Sequence, residues 1–465
     1  MVQAAEWAVH EFGGADLGDK RRTERLIEVA SVLAEQPQAS LPEACPDRAV
    51  LKGAYRLLEN AAVTPQALQA SHVQETLGRV RGAPLVLAVQ DTTDLDYSTH
   101  RATSGLGAIG NGYGLGLLLH TTLAVTPDGV PQGVLAQETW TRDPAETGKK
   151  HQRKQRPIAA KESAKWLRGL AALNALAPSC PQTRILSVAD READVYELFC
   201  AERAANVDLL VRASEDRRVS AETDEQGLLR ATVLQQPVAA ALTLDVPRRA
   251  QQPARTAQVW LRWTSLTFLP PKRQGLHLPE VALGVVWVHE ETPPTGVEAL
   301  DWLLLTTLPL PDQAAAERLL DYYTCRWVIE TWHRTLKSGC AIEARQLQSA
   351  AALGRGIALY SVIAWRVLFA TLLARQAPDL PCTLVLEPDE WQALYCRIHQ
   401  TTQPPTTPPT LAQAVRWVAQ LGGFLGRKGD GQPGPTVLWR GFQHLMDLTA
   451  MYQVFTAQPA HFLAP

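Results

Sequence analysis

Residues 184–211 read RILSVADREADVYELFCAERAANVDLLV, and the fold class follows from this stretch. Arg184 to Ala189 is a short apolar run of the kind that makes a strand buried on both faces. It ends at Asp190, a helical segment follows near Ala193 to Ala204, and Asp208 to Val211 is apolar again. Strands joined through a helix require a sheet with parallel neighbours, so the class is α/β. Pro84 to Val89 is a second such run, ending at Gln90 and Asp91. Leu115 to Val125 and Val130 to Trp140 add two strands in meander order around Pro127, Asp128 and Gly129. A helix is expected over Ile158 to Leu176.

Working outward, residues up to about 80 carry helical patterning, with Asp19 as the N-cap that places Lys20, Arg21 and Arg22 on the first turns of a helix. Prolines and alternating stretches such as Val259 to Trp263 and Val281 to Val288 mark a β-rich insertion at about 213–298. Leu300 to Thr306 reads as a return strand, and Pro311 with Asp312 starts a helix that Gly339 can end. Thr401 to Thr410, with four prolines and five threonines, suits an extended connection. Leu411 to Leu425 and Val437 to Leu448 are helical. Three domains follow: a helical one over 1–80, an α/β one over 81–375, and a helical one over 376–465.

Composition bounds the function. The chain has 465 residues, 46% hydrophobic and 20% charged, ordinary values for a globular protein. A net charge of −2 excludes a chain that is basic all over but leaves room for local stripes. Two exist: Lys20, Arg21, Arg22 and Arg25, and Lys149, Lys150, Arg153, Lys154 and Arg156. Seven cysteines without a C-x-x-C pair fit neither a disulfide framework nor a zinc ribbon, and a reducing cytoplasm is the expected home. The first residues, with Glu6 and Glu11, lack the blocks of a signal peptide. Ile357 to Ala374 is interrupted by Arg366 and reads as a buried helix, so no membrane partner is expected.

The chemistry lies in the acids. Active sites of open α/β sheets gather at the carboxyl ends of strands, where Asp91 and Asp190 are each the first acid past an apolar run. Asp94, Asp96, Glu192 and Asp194 stand close enough to compete for these roles. A third acid, Glu330, belongs to a tetrad with Tyr323, Arg326 and Lys337. On a continuous helix these three fall at roughly +20°, −40° and −20° from Glu330, so one stripe carries a carboxylate, two cations and a phenol. Cys325, Val328, Trp332 and Leu336 would form the apolar back. Carboxylates without histidine or cysteine favour Mg²⁺, with Mn²⁺ able to substitute. Two such ions, about 3.5–4 Å apart, would clamp the attacking and leaving oxygens of a phosphoryl transfer. Arg326, Lys337 and Tyr323 would hold the flanking phosphates.

These residues resemble the cut-and-paste DNA transposases of the insertion-sequence-four group, the group of the Tn-five transposase. The matching stretches are Leu17-Gly18-Asp19 with Arg21-Arg22-Thr23, Gly53-Ala54-Tyr55-Arg56, Asp91-Thr92-Thr93, Asp190-Arg191-Glu192-Ala193-Asp194, Trp302-Leu303-Leu304-Leu305-Thr306, the tetrad, and Leu421-Gly422-Gly423-Phe424. They run through the whole chain in family order. The resemblance implies a ribonuclease-H-like catalytic core with a β-rich insertion, flanked by helical N- and C-terminal domains, the latter for dimerisation. It implies the catalytic and metal-binding triad Asp91, Asp190 and Glu330 with two ions per site, and a homodimer holding two double-stranded transposon ends before joining them to target DNA through hairpin intermediates. By the same resemblance Arg25 and Arg56 touch the terminal inverted repeat, Arg212, Trp302 and Trp327 handle a flipped nucleotide, and the DNA-bound protein sits on the nucleoid. Gln90 departs from the pattern, standing where the family example has an acid, as does the proline-rich C-terminal loop, lysine-rich in that example.

Other readings fit parts of the pattern. A structure-specific nuclease on the same core would cut DNA but leave 3′ ends unjoined, and a domesticated DNA-binding protein would grip repeats without cutting. Paired acids also serve glycoside hydrolysis, which has no need of Arg326 and Lys337 beside the glutamate. Gly105-x-Gly107-x-x-Gly110 matches a dinucleotide fingerprint, but the segment behind it reads as a strand and not a helix.

Overall fold

The computed structural model describes residues 5–110, 112–143, 156–220, 226–246, 254–272 and 277–457. Twelve strands occur among them: β1 (Leu85–Asp96), β2 (Gly107–Ile109), β3 (Gly114–Val125), β4 (Pro131–Trp140), β5 (Arg184–Ala189), β6 (Val207–Arg212), β7 (Arg218–Ser220), β8 (Gln226–Leu228), β9 (Ala240–Val246), β10 (Arg255–Phe268), β11 (Val281–His289) and β12 (Asp301–Thr306). The chain forms two compact units, one of residues 80–91 and 149–327, the other of 1–79, 92–148 and 328–465.

In the first unit, β1 and β5 run parallel from the pair Leu85 and Arg184 to the pair Val89 and Val188. On the other side of β5, β6 is parallel from Ile185 and Val207 to Ala189 and Val211. Strand β12 returns antiparallel on β6, β11 on β12 and β10 on β11, with β9 and β7 on β10 and β8 on β7. Residues 86–89, 185–189 and 209–211 are almost wholly buried, as parallel strands covered on both faces must be. Each buried Val or Leu in these runs contributes ~1.5–3 kcal/mol to the core.

Two expectations change here. Strand β1 does not stop at Asp91 but continues to Asp96, while its pairing with β5 ends near Asp91. The helix expected near Ala193 to Ala204 shrinks to Tyr196–Cys200. Its first turn is diverted because the Asp194 carboxylate accepts from Ser214 N and Glu215 N and is clamped by Arg217 at 2.6 Å.

The second unit holds helices Lys20–Glu35, Arg48–Glu59, Ala350–Gln376, Pro388–His399, Leu411–Leu421 and Pro435–Ala457, together with the antiparallel pairs β2 with β3 and β3 with β4. Asp19 caps the Lys20–Glu35 helix by accepting from Arg21 N, so the basic cluster sits on its first turn. The Ala350–Gln376 helix is long and apolar enough to cross a membrane, yet 78% of its most apolar window is buried inside the fold. Its polar groups are met there: Arg355 donates to Val63 O and Leu58 O, Trp365 Nε1 to Pro131 O, and Arg366 pairs with Glu390.

A buried polar network ties the first helix, Glu6–Phe12, into this unit. Val134 N donates to His72 Nε2, so the ring proton lies on Nδ1 and is donated to Glu11 at 2.5 Å. Arg79 pairs with Glu11 at 2.7 Å and lies 4.4 Å over the Trp365 ring. Burial would raise the Glu11 carboxyl, but the hydrogen bond from His72 and the charge and hydrogen bond of Arg79 outweigh it and hold it at about 2.

The helix expected as one piece from Asp312 to Gly339 is three. Asp312 caps Gln313–Thr324 through Ala315 N, a second helix covers Trp327–Arg334, and Thr335–Gly339 is a π turn closed by Cys340 N donating to Thr335 O. The first break follows from Thr324 Oγ1 and Cys325 Sγ both bonding back to Asp321 O, in competition with the helical ladder. The single angular stripe computed for an unbroken helix therefore does not hold.

Candidate active site and its DNA-handling surroundings

Carrying the register of β1 and β5 two residues past Val89 and Val188 brings Asp91 level with Asp190, on the same face of neighbouring parallel strands. Asp190 is the first residue past β5, where it caps the turn Arg191–Ala193 by accepting from Glu192 N at 2.9 Å. The competing acids are engaged otherwise. Asp194 is enclosed by Ser214, Glu215 and Arg217, and Glu192 pairs with Lys165 at 3.0 Å. Asp94 accepts from Gly110 N, sixteen residues on, and Asp96 accepts from Ser98, closing a local turn.

Gln90 is buried, donates to Ser187 Oγ at 2.8 Å, and leaves so little room that a Cβ on Gly169 would meet its Oε1 at 2.3 Å. An ionised acid in its place would be a buried carboxylate, which the neutral amide avoids. A glycine inside the apolar helix Ala164–Leu176 was the one available sign of this close approach.

Around Asp190 stands a cluster of cations and rings. Burial pushes the Tyr323 phenol above its ordinary range, with Arg326 and Arg212 pulling it down and Asp190 pushing it up, so these groups share one neighbourhood. Trp302 meets Tyr323 edge-on at 5.3 Å and Trp327 edge-on at 5.5 Å. Arg212 donates to Asp301 O, beside Trp302, at 3.0 Å. Tyr323 and Trp302 are each only 4% exposed, which corrects the expectation of an open polar stripe. Trp302 starts the buried run of β12, and Tyr323 continues the buried face that Ala316, Leu319 and Leu320 form on its own helix.

Glu330 and Lys337 belong to the other unit. Glu330 is exposed on the Trp327–Arg334 helix. The buried face there is Ile329, Trp332, His333 and Leu336, whereas Cys325 and Val328, expected on the apolar back, are half-buried because the break resets the phase. Lys337, inside the π turn, donates to Asp94 O and lies 3.5 Å from Glu343. Burial, with Lys337 adding, holds His333 at about 3, so its ring is neutral at physiological pH. π turns often mark functional positions.

Among the described residues no group of three or more His, Cys, Asp or Glu side chains is gathered as a metal site. Asp91 and Asp190 each follow the last β1–β5 pair, Val89 with Val188, by two residues, and Glu330 lies on the other unit. The oxygen-only donors of the aspartate pair suit a hard divalent cation.

Arg25, on the Lys20–Glu35 helix, pairs with Glu28 and passes over Gly53, where an added Cβ would come within 2.7 Å of the guanidinium. Arg56 is exposed one turn beyond Gly53 on the Arg48–Glu59 helix, which presents both arginines on one side. The basic run from Lys149 to Lys154 lies outside the described residues, and only Arg156 of that cluster falls within them.

Three family models match the chain: a transposase DNA-binding domain over residues 4–63, a transposase DDE domain over 140–365, and the Tn5 transposase dimerisation domain over 362–454. Asp190, Glu330 and the whole aromatic and cationic cluster fall within the second match, while Asp91 precedes it. The chain therefore belongs to the DDE transposases, a family of DNA-acting enzymes that use divalent metal ions, and it resembles the Tn5 transposase in carrying its kinds of DNA-binding and dimerisation domain.

Proposed function

We propose that this transposase moves its element by cut and paste, binding terminal inverted repeats, excising the element through hairpin intermediates and joining its 3′ ends to target DNA. The observation that carries the reading is the level placement of Asp91 and Asp190 beside the cluster of Tyr323, Arg326, Arg212, Trp302 and Trp327. Residues 1–80 would read the DNA end through Arg25 and Arg56, residues 81–375 would form a ribonuclease-H-like catalytic domain with its β insertion at about 213–298, and residues 376–465 would join two subunits. In the synaptic dimer each subunit cuts the end held mainly by its partner, in the cytoplasm and on the nucleoid.

Asp91, Asp190 and Glu330 would hold two Mg²⁺ ions, or Mn²⁺ in their place. When bound, the ions lower the charge barrier at the attacking and leaving oxygens. Arg326, Lys337 and the Tyr323 hydroxyl hold the phosphates on either side of the scissile one. In each transfer one P–O bond forms as one breaks: water attacks first, the freed 3′-hydroxyl attacks the opposite strand, water opens that hairpin, and the same hydroxyl attacks target DNA. Arg212, Trp302 and Trp327 retain the nucleotide that leaves the stack when the hairpin forms, a stacking worth ~1–3 kcal/mol.

The test uses the full chain with a duplex ending in the inverted repeat that flanks its own gene. Asp91→Ala abolishes cleavage while gel-shift affinity for that end stays unchanged, and the wild-type protein yields joined products. Cleavage at the wild-type rate by Asp91→Ala refutes the site, and cleaved but never joined ends favour the nuclease reading.

A further inference from the structure

Arg345 is only 4% exposed, yet the mechanism above does not use it. Its guanidinium donates to Pro37 O and Ala39 O, in the turn that follows the Lys20–Glu35 helix, and to Cys340 O, just past the π turn. The Tyr360 ring lies 4.8 Å from it. From the same N-terminal turn, Gln38 Nε2 donates to Ser338 O at 2.8 Å. The backbone on the C-terminal side of Lys337 is thus held at Ser338 and Cys340 by groups answering to residues 37–39. A buried cation whose two terminal nitrogens are held by carbonyls from two segments fixes both, because releasing either leaves the charge desolvated and shorter still of partners.

The Pro37–Ala39 turn continues the helix that carries Arg25, within the match to a transposase DNA-binding domain. We propose that Arg345 is a positioning residue: it makes the placement of Lys337 depend on how the N-terminal DNA-binding segment is seated, and so couples recognition of the transposon end to strand cleavage. The inference rests on the proposed role of Lys337 as a phosphate-holding group. A fork of N–H donors suits three carbonyls, and a lysine ammonium, a point charge on a flexible stem, cannot hold the same fixed geometry. Misplacing a catalytic group by about 1 Å costs on the order of 100-fold in rate, so a loosened π turn shows in the chemical step.

The experiment compares Arg345→Gln, Gln38→Ala and Lys337→Ala in the full chain, each by gel-shift affinity for the inverted-repeat duplex and by single-turnover cleavage at saturating DNA. Arg345→Gln keeps end affinity within about twofold and cleaves at least roughly tenfold more slowly, Arg345→Lys recovers only part of that loss, and in a Lys337→Ala background Arg345→Gln changes the rate by less than about twofold. Gln38→Ala removes an exposed tie with little effect on folding and slows cleavage severalfold, which carries the test if Arg345→Gln does not fold. Unchanged cleavage by Arg345→Gln, or by Gln38→Ala where Arg345→Gln is unfolded, overturns the coupling while Lys337→Ala cleaves slowly but measurably. A rate loss that multiplies with that of Lys337→Ala overturns it too. Full cleavage by Lys337→Ala refutes the role of Lys337 and this inference with it.

Discussion

Replacing Glu11 by Gln tests whether the buried Glu11, His72 and Arg79 network holds the N-terminal segment in place. The Glu11 carboxyl is held at about 2 instead of 4.5. At about 1.4 kcal/mol per pH decade, that displacement amounts to about 3 kcal/mol favouring the ionised, folded form. Because the folded value is depressed, this stability is fully present above pH 4.5 and is lost as pH falls from there through about 2. A glutamine keeps an oxygen for the His72 Nδ1 proton but gives Arg79 no charge partner, so Glu11→Gln is about 3 kcal/mol less stable at pH 7. Other carboxylates titrate in the same range, so the informative quantity is the difference between the two proteins. That difference shrinks toward zero as pH approaches 2. Urea unfolding followed by tryptophan fluorescence measures it, with Trp365 4.4 Å from the Arg79 guanidinium as a local reporter. A deficit below about 0.5 kcal/mol at pH 7, or one that persists undiminished at pH 2, would refute the reasoning.

Two further outcomes are expected. Gly53→Ala raises helix stability by up to about 1 kcal/mol through propensity, yet displaces the Arg25 guanidinium that passes within 2.7 Å of the new Cβ. Thermal stability therefore holds or rises while end affinity falls and the salt slope of binding drops by about one phosphate contact; equal affinity and slope would show that Arg25 does not touch DNA. Burial, with Glu390 and Asp447 adding, raises the Glu35 carboxyl to about 7. Its contribution is present below 4.5 and lost as pH rises through about 7, so Glu35→Gln stabilises the protein at pH 8, by on the order of 1–2 kcal/mol after solvent screening, and much less at pH 4. Identical melting curves for the two proteins at pH 8 would rule this out.

The local setting of some candidate residues was legible because it depends on local order. An apolar run followed by an acid places Asp190 past β5 whatever the rest of the chain does, and Asp19 and Asp312 announce their helices because a cap needs only neighbouring amides. The tetrad was misread as one continuous stripe because helical spacing assumes an unbroken ladder. The ladder breaks after Thr324 and a π turn follows Arg334, while Tyr323 stays on the buried face of its own helix, against Trp302, instead of joining an open stripe. The engaged state of Asp194, which separates it from Asp190, depends on Arg217, a residue whose relevance no motif indicates.

The chain's pattern alone determined its class, the acid that follows β5 and its likeness to a transposase, since period, caps and motif order are properties of short stretches. Tertiary structure alone decided that the strands leading to Asp91 and Asp190 are parallel neighbours, the passage of Arg25 over Gly53, the neutral Gln90 lodged against Ser187, and the hold of Arg345 on Pro37 and Ala39. Each of these joins residues tens to hundreds of positions apart. Buried polar groups must find partners wherever the packed chain supplies them, and a linear pattern does not encode which partner that will be.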